Sequence, residues 1–284
     1  MEARFIWQSQ NFLKREEFVA GLLDKTNITR NDLVIEIGPG KGIITRQLAK
    51  RARRVMAVEI DKKLADNLRT IFQNFPNVEI VEADFLTWQL PKKAYKVFSN
   101  IPFNMTADIV NKLTEDKYPP EVAYLIMQDK AAFRFTGKPK DSQASILLKP
   151  WFDVWILANI NRNEFSPVPK INAVLTEFRK RDQPMVKVES SRLFRDFVVY
   201  GFNQWQPTIL DSFNNVFSPK QKKLIAKELM IQNAKPSDLT LEQWPKLFER
   251  FETFVPSERK ELVKGAEEKL EKQQQGLKKW HRTR

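Results

Sequence analysis

Short β-rich runs alternate with amphipathic helical runs through the first 180 residues of this 284-residue chain. We predict seven strands, at Leu33 to Ile37, Val55 to Glu59, Val78 to Glu82, Tyr95 to Ser99, Val122 to Met127, Val154 to Ile160 and Ala173 to Phe178. The runs with helical spacing are Gly42 to Ala52, Lys62 to Phe72, Thr106 to Leu113 and Asp141 to Lys149. Because parallel neighbours need crossover helices, the alternation predicts a doubly wound α/β sheet covered on both faces. The last two strands have no helix between them, which predicts one antiparallel strand at the end of the sheet.

The pattern changes near Arg181, where helical spacing takes over. The predicted helices there are Ser191 to Trp205, Pro219 to Met230, Leu241 to Phe251 and Ser257 to Gln274, although Val186 to Leu193 also fits a short strand. We therefore predict two domains. Residues 1–181 form the sheet domain, and residues 182–284 form a small helical domain that ends in a frayed basic tail from Lys272 onward.

Composition excludes several kinds of chemistry. The chain has no cysteine and a single histidine, His281, which argues against disulfides, thiol nucleophiles, histidine triads and bound metal. No apolar stretch reaches the roughly 20 residues that span a bilayer, and no signal-like run follows Met1. These absences predict a cytoplasmic protein with no membrane partner.

The chain is strongly basic. Its 48 Lys and Arg against 35 Asp and Glu give a formal net charge of +13 and a sequence pI near 9.7. Such an excess favours a polyanionic partner, nucleic acid above all, while an anionic membrane surface or solubility alone would also fit.

A glycine-rich loop directly follows the first strand. Gly38 and Gly40 belong to the sequence Gly38-Pro39-Gly40-Lys41-Gly42, where a strand turns sharply into a helix and the backbone can approach a ligand. Glu59 ends the second strand 21 positions after Gly38, where a carboxylate could accept hydrogen bonds from both hydroxyls of a ribose. The loop predicts a nucleotide cofactor but does not separate a dehydrogenase from other nucleotide-binding enzymes.

Polar side chains also follow the third and fourth strands. Asp84, next to Phe85, could accept from an adenine amino group, or it could cap a helix. The fourth strand ends in Asn100-Ile101-Pro102-Phe103, where an amide oxygen and the Ile101 carbonyl can accept from an exocyclic amine while the Phe103 ring stacks on its base. This corner predicts chemistry on an amine attached to a flat ring.

These motifs resemble a known family. The sequences Gln10-Asn11-Phe12-Leu13, Glu36 to Gly42, Asn100 to Phe103 and Phe165 to Lys170 are similar, in this order, to motifs of the S-adenosylmethionine-dependent rRNA adenine N6-methyltransferases. The resemblance covers Gln10 to Arg179. It implies a Rossmann-like seven-stranded methyltransferase sheet, S-adenosylmethionine as cofactor and a monomer that acts on rRNA.

The resemblance also implies roles for individual residues. Asn100, Ile101, Pro102 and Phe103 would form the catalytic corner, and Phe103 and Phe165 would stack on the target base. The implied cofactor-binding residues are Asn11, Leu13, Gly38, Gly40, Glu59, Ile60, Asp84, Phe85 and Asn100.

Two basic runs are candidates for contacts to RNA phosphates. The first consists of Lys50, Arg51, Arg53 and Arg54, and the second of Arg134, Lys138 and Lys140. Either run could equally be a solvated surface.

The start of the chain favours one branch of the family. Trp7 to Leu13 resembles the Erm-type enzymes, which methylate one adenine of 23S rRNA and give resistance to macrolide, lincosamide and streptogramin B antibiotics. Their substrate would be protein-free or nascent 23S rRNA. The alternatives are a small-subunit (16S) rRNA dimethyladenosine transferase and a nonenzymatic RNA-binding protein with the same fold.

Overall fold

The computed structural model describes residues 11–281, with side chains as far as Gln274. Its main sheet has the strands β2 (Leu33–Ile37), β3 (Arg54–Glu59), β4 (Val78–Glu82), β5 (Lys96–Asn100), β6 (Val122–Gln128), β7 (Phe152–Ile160) and β9 (Ala173–Lys180). All seven lie within two residues of the predicted strands. The order β4-β3-β2-β5-β6-β9-β7 confirms a doubly wound α/β sheet.

The position of the antiparallel strand differs from the prediction. The pairs β2–β3, β3–β4, β2–β5 and β5–β6 are parallel. β9 is antiparallel to both β6 and β7, so it lies one position inside the edge rather than at the end of the sheet. β7 and β9 have no crossover helix between them, and they pair as antiparallel neighbours.

Two very short strands form a second sheet. β1 (Phe12–Leu13) pairs antiparallel with β8 (Phe165–Ser166), so that Leu13 lies opposite Phe165. This pairing joins the start of the described chain to a segment about 150 residues later.

Helices of the first 150 residues connect these strands. They are α1 (Glu16–Leu23), α2 (Ile43–Ala49), α3 (Lys62–Ile71), α4 (Thr106–Glu115), α5 (Asp129–Thr136) and α6 (Gln143–Leu148). α1 and α5 are absent from the sequence prediction. α1 has Arg15 at its N-cap position and no side-chain cap, whereas Asp61 caps α3 by accepting from the Leu64 backbone N–H at 2.9 Å. Helices without a capping side chain lack the usual start signal in the sequence.

Residue contacts divide the chain into two compact units. The first contains Met1–Phe133 and Phe152–Lys180, and the second contains Arg134–Trp151 and Arg181–Arg284. The predicted boundary at residue 181 therefore misassigns the insertion 134–151 to the sheet domain. Ile146 of α6 is fully buried in the apolar core of the second unit, which explains why this insertion belongs there.

The first unit has its core between the sheet and its helices. Val19 and Leu22 of α1 pack in one buried cluster with Val34, Leu48 and Phe98. The β2 sequence Leu-Val-Ile-Glu-Ile is buried along almost its whole length. A parallel strand covered on both faces requires such a nearly continuous apolar run.

The second unit is helical and has an aromatic core. Its other helices are α7 (Ser191–Phe202), α8 (Ile209–Ser212), α9 (Pro219–Leu229), α10 (Gln243–Phe254), α11 (Ser257–Lys260) and α12 (Ala266–His281). The Phe197 ring lies 4.5 Å from Phe213, 4.9 Å from Phe251 and 5.5 Å from Phe248, measured between centroids. Each aromatic pair of this kind adds about 0.5–1.5 kcal/mol beyond its buried area.

Three predictions for the second unit need correction. The segment from Val186 to Leu193 contains a 3-10 turn and the start of α7, not a strand. The single helix predicted over Ser257 to Gln274 is divided into α11 and α12, with Gly265 at φ +72° before the second. The backbone of the predicted frayed tail from Lys272 is helical to His281, and the side chains after Gln274, His281 included, lie outside the described residues.

Candidate active site

Four neighbouring strands end at one edge of the sheet. In the order β4-β3-β2-β5, their carboxyl ends lead into Asp84, Glu59, Gly38 and Asn100. Parallel strands present their carboxyl ends on the same side, which is where open α/β sheets bind ligands. The structure therefore brings the polar residues predicted from four separate motifs to one edge.

The glycine loop is open at its first glycine and covered at its second. Both have left-handed backbone, with φ +64° at Gly38 and +55° at Gly40. A Cβ at Gly38 would meet no atom within 4 Å, whereas a Cβ at Gly40 would lie 2.5 Å from the Cε1 atom of Phe12. The loop thus leaves free space beside Gly38 and holds the Phe12 ring directly against Gly40.

The side-chain amide of Asn100 forms a hydrogen bond through its nitrogen but not through its oxygen. Its Nδ2 donates to the Asn11 carbonyl at 2.7 Å, which fixes the orientation of the amide. Its Oδ1 is buried and has no hydrogen-bond partner. The other buried side-chain atoms without a partner among the described residues are the Nε1 atoms of Trp151 and Trp244 and the Thr176 Oγ1. A buried acceptor costs about 1–3 kcal/mol when it is left unpaired, so such an atom beside a pocket indicates a ligand donor.

Asn100 also lines a pocket. This pocket is lined by Asn11, Phe12, Gly38, Asn100, Ile101, Pro102 and Phe103. All four residues predicted as the catalytic corner line this pocket. Directly before that corner, the buried Ser99 donates its hydroxyl to the Ile37 carbonyl at 2.5 Å and so holds the end of β5 beside the glycine loop.

Two carboxylates are buried beneath the loop. Glu59 accepts from the Asp61 backbone N–H at 3.0 Å and from the Gly40 N–H at 3.4 Å, and burial raises its pKa. Glu36, in the middle of β2, accepts from the Thr45 hydroxyl at 2.6 Å. Complete burial raises the pKa of Glu36 to about 8, and the neighbouring charge of Glu59 acts in the same direction.

The remaining predicted cofactor residues do not line this pocket. The Asp84 Oδ1 accepts from the Leu86 backbone N–H at 2.9 Å, so this side chain already serves as a turn cap with one oxygen. Phe85 is buried, and the Lys112 ammonium lies 5.8 Å from its ring centroid. Ile60 is 47% exposed, which leaves its apolar surface available beside Glu59.

The structure argues against the stacking role predicted for Phe165. Phe165 is 0% exposed and packs in the core of the first unit, because β8 pairs with β1. Its ring therefore offers no free face to a base. Leu13, its partner across this pair, is also buried, so a cofactor could reach Leu13 only at its backbone.

The basic run from Lys50 to Arg54 lies at the opposite edge of the sheet. Arg54 begins β3, and five residue steps of about 3.3 Å each place it roughly 17 Å from the edge where Glu59 lies. Lys50, Arg51 and Arg54 face Glu16, Asp24 and Glu79 at 3.8, 3.1 and 2.6 Å. Ion pairing and distance from the pocket argue against the predicted role of this run in RNA binding, which stays a prediction.

The second basic run belongs to the helical unit. Arg134, Lys138 and Lys140 are exposed there, and Lys140 pairs with Asp238 at 2.9 Å. Their predicted contact with RNA phosphates stays a prediction.

Sequence reasoning missed Phe12, Ser99 and Glu36 as residues that shape the site. Glu36 carries a visible signal, since it is the one carboxylate inside an otherwise apolar buried strand. Phe12 and Ser99 carry none, because their roles depend on contacts with Gly40 and Ile37 that only the fold creates. Trp7 to Gln10, the first part of the N-terminal motif, lie outside the described residues.

Two features are absent from the described residues, a membrane-spanning helix and a cluster of metal-binding side chains. Among residues 11–281, no helix combines the length and the apolar character needed to cross a membrane. In the same part of the chain, no group of three or more acidic or histidine side chains is placed to hold a metal ion.

Known proteins are similar to this chain in both sequence and fold. The family model for ribosomal RNA adenine dimethylase matches residues 6–253. An rRNA adenine N-6-methyltransferase of Bacillus licheniformis is 30% identical over 88% of this chain and 88% of its own length. The ribosomal RNA small subunit methyltransferase A of Alkaliphilus oremlandii is 31% identical over 83% of this chain and 87% of its own length.

Solved structures agree with these matches. The crystal structure of the 23S rRNA methyltransferase ErmE has a TM-score of 0.77 and 29% identity, covering 86% of this chain and 100% of that chain. A dimethyladenosine transferase from Plasmodium falciparum shares the fold, with a TM-score of 0.70 and 23% identity over 85% of this chain and 97% of that chain. By its family match, its relatives and its Rossmann-like methyltransferase fold, the chain belongs to the ribosomal RNA adenine dimethylase family of S-adenosylmethionine-dependent rRNA adenine N6-methyltransferases.

Proposed function

We propose that this chain binds S-adenosylmethionine and methylates the exocyclic N6 of one adenine in 23S rRNA, which makes ribosomes resistant to macrolide, lincosamide and streptogramin B antibiotics. The observation that carries the reaction is the Asn100 Oδ1, a buried acceptor without a partner at the wall of the pocket. An adenine amino group is a donor that would satisfy it.

The residues at this edge fit the proposed cofactor. Free space beside Gly38 would admit a ligand close to the backbone, and the Glu59 carboxylate would accept from ribose hydroxyls. Glu59 is buried in this structure, and its Oε2 accepts from the Gly40 N–H at 3.4 Å. Because a contact of this length is a weak hydrogen bond, a ribose hydroxyl would replace it as the donor to Oε2. The exposed Ile60 would cover an adenine face. Bound S-adenosylmethionine would supply an electrophilic methyl group at its sulfonium.

Asn100 and its neighbours would activate the amine. The lone pair of an adenine amino group is delocalised into the ring, which makes the nitrogen a poor nucleophile. Acceptors aimed at its hydrogens favour the pyramidal nitrogen with a localised lone pair, and this preference is strongest in the transition state. The Asn100 Oδ1 would be one acceptor and the Ile101 carbonyl the other, while Phe103 stacks on the base. No general base is needed, since the proton can leave after the methyl group has been transferred.

The choice of 23S rRNA rests on the N-terminal motif and on the likeness to ErmE. Trp7 to Leu13 resembles the Erm-type start, and the match to the 23S enzyme ErmE extends over that whole chain. Relatives named as small-subunit methyltransferases are equally similar in sequence, at 29 to 31% identity. A small-subunit (16S) rRNA dimethyladenosine transferase is therefore the second candidate.

Methyl transfer to separate rRNA substrates tests the target. Purified protein with radiolabelled S-adenosylmethionine should label protein-free 23S rRNA and leave small-subunit particles unlabelled. Primer extension on the product should map a single modified adenine. Expression in a susceptible bacterium should raise the inhibitory concentrations of a macrolide, a lincosamide and a streptogramin B together. Label confined to small-subunit particles would reject the 23S proposal in favour of the second candidate.

The proposed partner is protein-free or nascent rRNA, bound by a monomer in the cytoplasm. A nonenzymatic RNA-binding protein with this fold is a poorer account, because RNA binding alone requires neither the unpaired Asn100 Oδ1 nor the Glu59 carboxylate beside the glycine loop. Failure to bind S-adenosylmethionine in titration calorimetry would favour that account.

The basic run at the far edge of the sheet should not contribute to RNA binding. We expect Lys50→Gln together with Arg53→Gln to leave rRNA affinity unchanged within about twofold at each salt concentration. The reason is their position at the amino edge of the sheet, away from the pocket. Filter binding at several salt concentrations measures this. Each lost phosphate contact would lower the slope of log affinity against log salt by about 0.7–0.9, so a change of that size would contradict the expectation.

A further inference from the structure

Trp205 is the most exposed of the large apolar side chains among the described residues. It lies in the loop between α7 and α8 of the second unit and is 94% exposed. Its φ of +55° is in the left-handed region, which a bulky side chain rarely adopts. A tryptophan at this position gains nothing from burial and has an unfavourable backbone conformation, so folding does not explain it.

Met230 has the same backbone conformation for a reason that Trp205 lacks. Met230 is also exposed and has φ +55°, but it ends α9 at the C-cap position, where left-handed backbone closes a helix. Trp205 closes no helix, since Asn203 is the C-cap of α7. The left-handed conformation of Trp205 therefore has no explanation in helix termination.

The loop that carries Trp205 is held at both ends. The Asn203 Nδ2 donates to the Val199 carbonyl at 2.7 Å and to the Gln143 Oε1 at 2.9 Å. On the other side, Thr208 caps α8 by accepting from the Asp211 N–H, and the Ile209 N–H donates to the Ala234 carbonyl at 2.8 Å. An exposed ring on an anchored loop is preorganised, because little freedom is lost when a partner binds.

The segments that anchor this loop carry cations. Gln143 follows the exposed Lys138 and Lys140, and Ala234 precedes the exposed Lys235. The whole second unit has 24 Lys and Arg against 15 Asp and Glu, a formal excess of +9 out of the +13 of the chain. Proteins hold unpaired nucleotides by combining aromatic rings, on which a base stacks, with cations that neutralise phosphates.

We propose that Trp205 is a stacking site for an unpaired nucleobase of RNA, outside the adenine pocket, with Lys138 and Lys235 of the anchoring segments available for the phosphates. This proposal rests on RNA being the substrate but not on which adenine is methylated. A protein partner would require an apolar surface around the ring. The chain neighbours Gln204 and Gln206 are polar instead, and the anchoring segments are charged, which favours a nucleic acid.

Binding of an adenine-free RNA tests the proposal separately from methylation. The probe is a fluorescein-labelled 20-nucleotide RNA of uridine and cytidine only, single-stranded or annealed to its complement, titrated by anisotropy without cofactor. Trp205→Leu, which keeps an apolar side chain at the same backbone conformation, should weaken single-strand binding about 5- to 150-fold and duplex binding less than twofold. Trp205→Tyr, which keeps a ring, should stay within about threefold of wild type. Equal losses of single-strand affinity in the tyrosine and leucine variants would overturn the proposal. Unchanged single-strand affinity in the leucine variant would also overturn it and would point to a protein partner.

Stability provides a second measurement. Trp205→Gly relieves the left-handed backbone and removes an exposed apolar ring, so we expect its melting temperature to equal or exceed that of wild type while single-strand binding falls as in Trp205→Leu. A residue kept only for folding would show the reverse, a lower melting temperature with unchanged RNA affinity. That result would also overturn the proposal.

Discussion

Replacing Asn100 with alanine is expected to lower the rate of methyl transfer about 100- to 1,000-fold, the usual effect of losing one positioned polar group in an active site. The variant removes the Oδ1, the acceptor that we assign to the adenine amino group. It also removes the Nδ2 that holds the amide against the Asn11 carbonyl. Single-turnover transfer of a labelled methyl group to rRNA, at saturating cofactor, measures the loss.

The fold should survive this substitution. Losing the 2.7 Å hydrogen bond to the Asn11 carbonyl costs about 1 kcal/mol, and removing a buried acceptor without a partner offsets part of that cost. We therefore expect the free energy of unfolding to change by no more than about 1 kcal/mol.

Asn100→Asp is the matched variant. It keeps an acceptor at the pocket but loses the Nδ2 donor, so its activity should lie between those of wild type and Asn100→Ala. If the alanine variant retained full activity, Asn100 would not be the acceptor for the amine, and the site would need another residue in this role.

The sheet can be predicted from sequence because its signals are local. β2 and β6 are short runs of apolar residues, many of them β-branched, and each alternates with a helical run long enough for a crossover. The position of Asn100 follows from the same reasoning, since parallel strands bring their carboxyl ends to one edge. The amide orientation does not follow, because it depends on Asn11, 89 residues earlier.

The burial of a side chain cannot be predicted from local sequence as precisely as the strands can, and Phe165 shows why. An aromatic residue before a Pro-x-Pro turn has the same local sequence whether its ring is free or packed. Its burial depends on Leu13, which lies opposite it in the small sheet. The same holds for the run from Lys50 to Arg54, whose partners Glu16, Asp24 and Glu79 are separated from it in sequence.

The insertion 134–151 illustrates a further limit of local patterns. It lies in sequence between two strands of the sheet, β6 and β7, so its position alone assigns it to the sheet domain. Ile146 packs in the core of the second unit, where its partners come from residues after 181. A domain formed from two separated segments leaves no boundary signal in composition.

Glu36 makes the stability of this protein depend on pH. Its pKa is raised by burial to about 8 in the folded chain, against about 4.5 for a solvated carboxyl group. Between these two values the folded chain holds the proton more tightly than the unfolded chain does. The free energy of unfolding therefore falls as pH rises through this window, by at most about 1.4 kcal/mol per pH unit from this residue. Below about pH 4.5 both states are protonated and the penalty disappears.

Glu36→Gln is expected to stabilise the protein at neutral and alkaline pH. Glutamine keeps an oxygen for the Thr45 hydroxyl, which donates at 2.6 Å, but it has no charge to neutralise on burial. We expect the variant to gain about 2–4 kcal/mol over wild type at pH 7.5 and little at pH 5. Urea denaturation of both proteins at several pH values measures the difference. A constant difference between Glu36→Gln and wild type from pH 5 to pH 8 would mean that Glu36 does not titrate in this window.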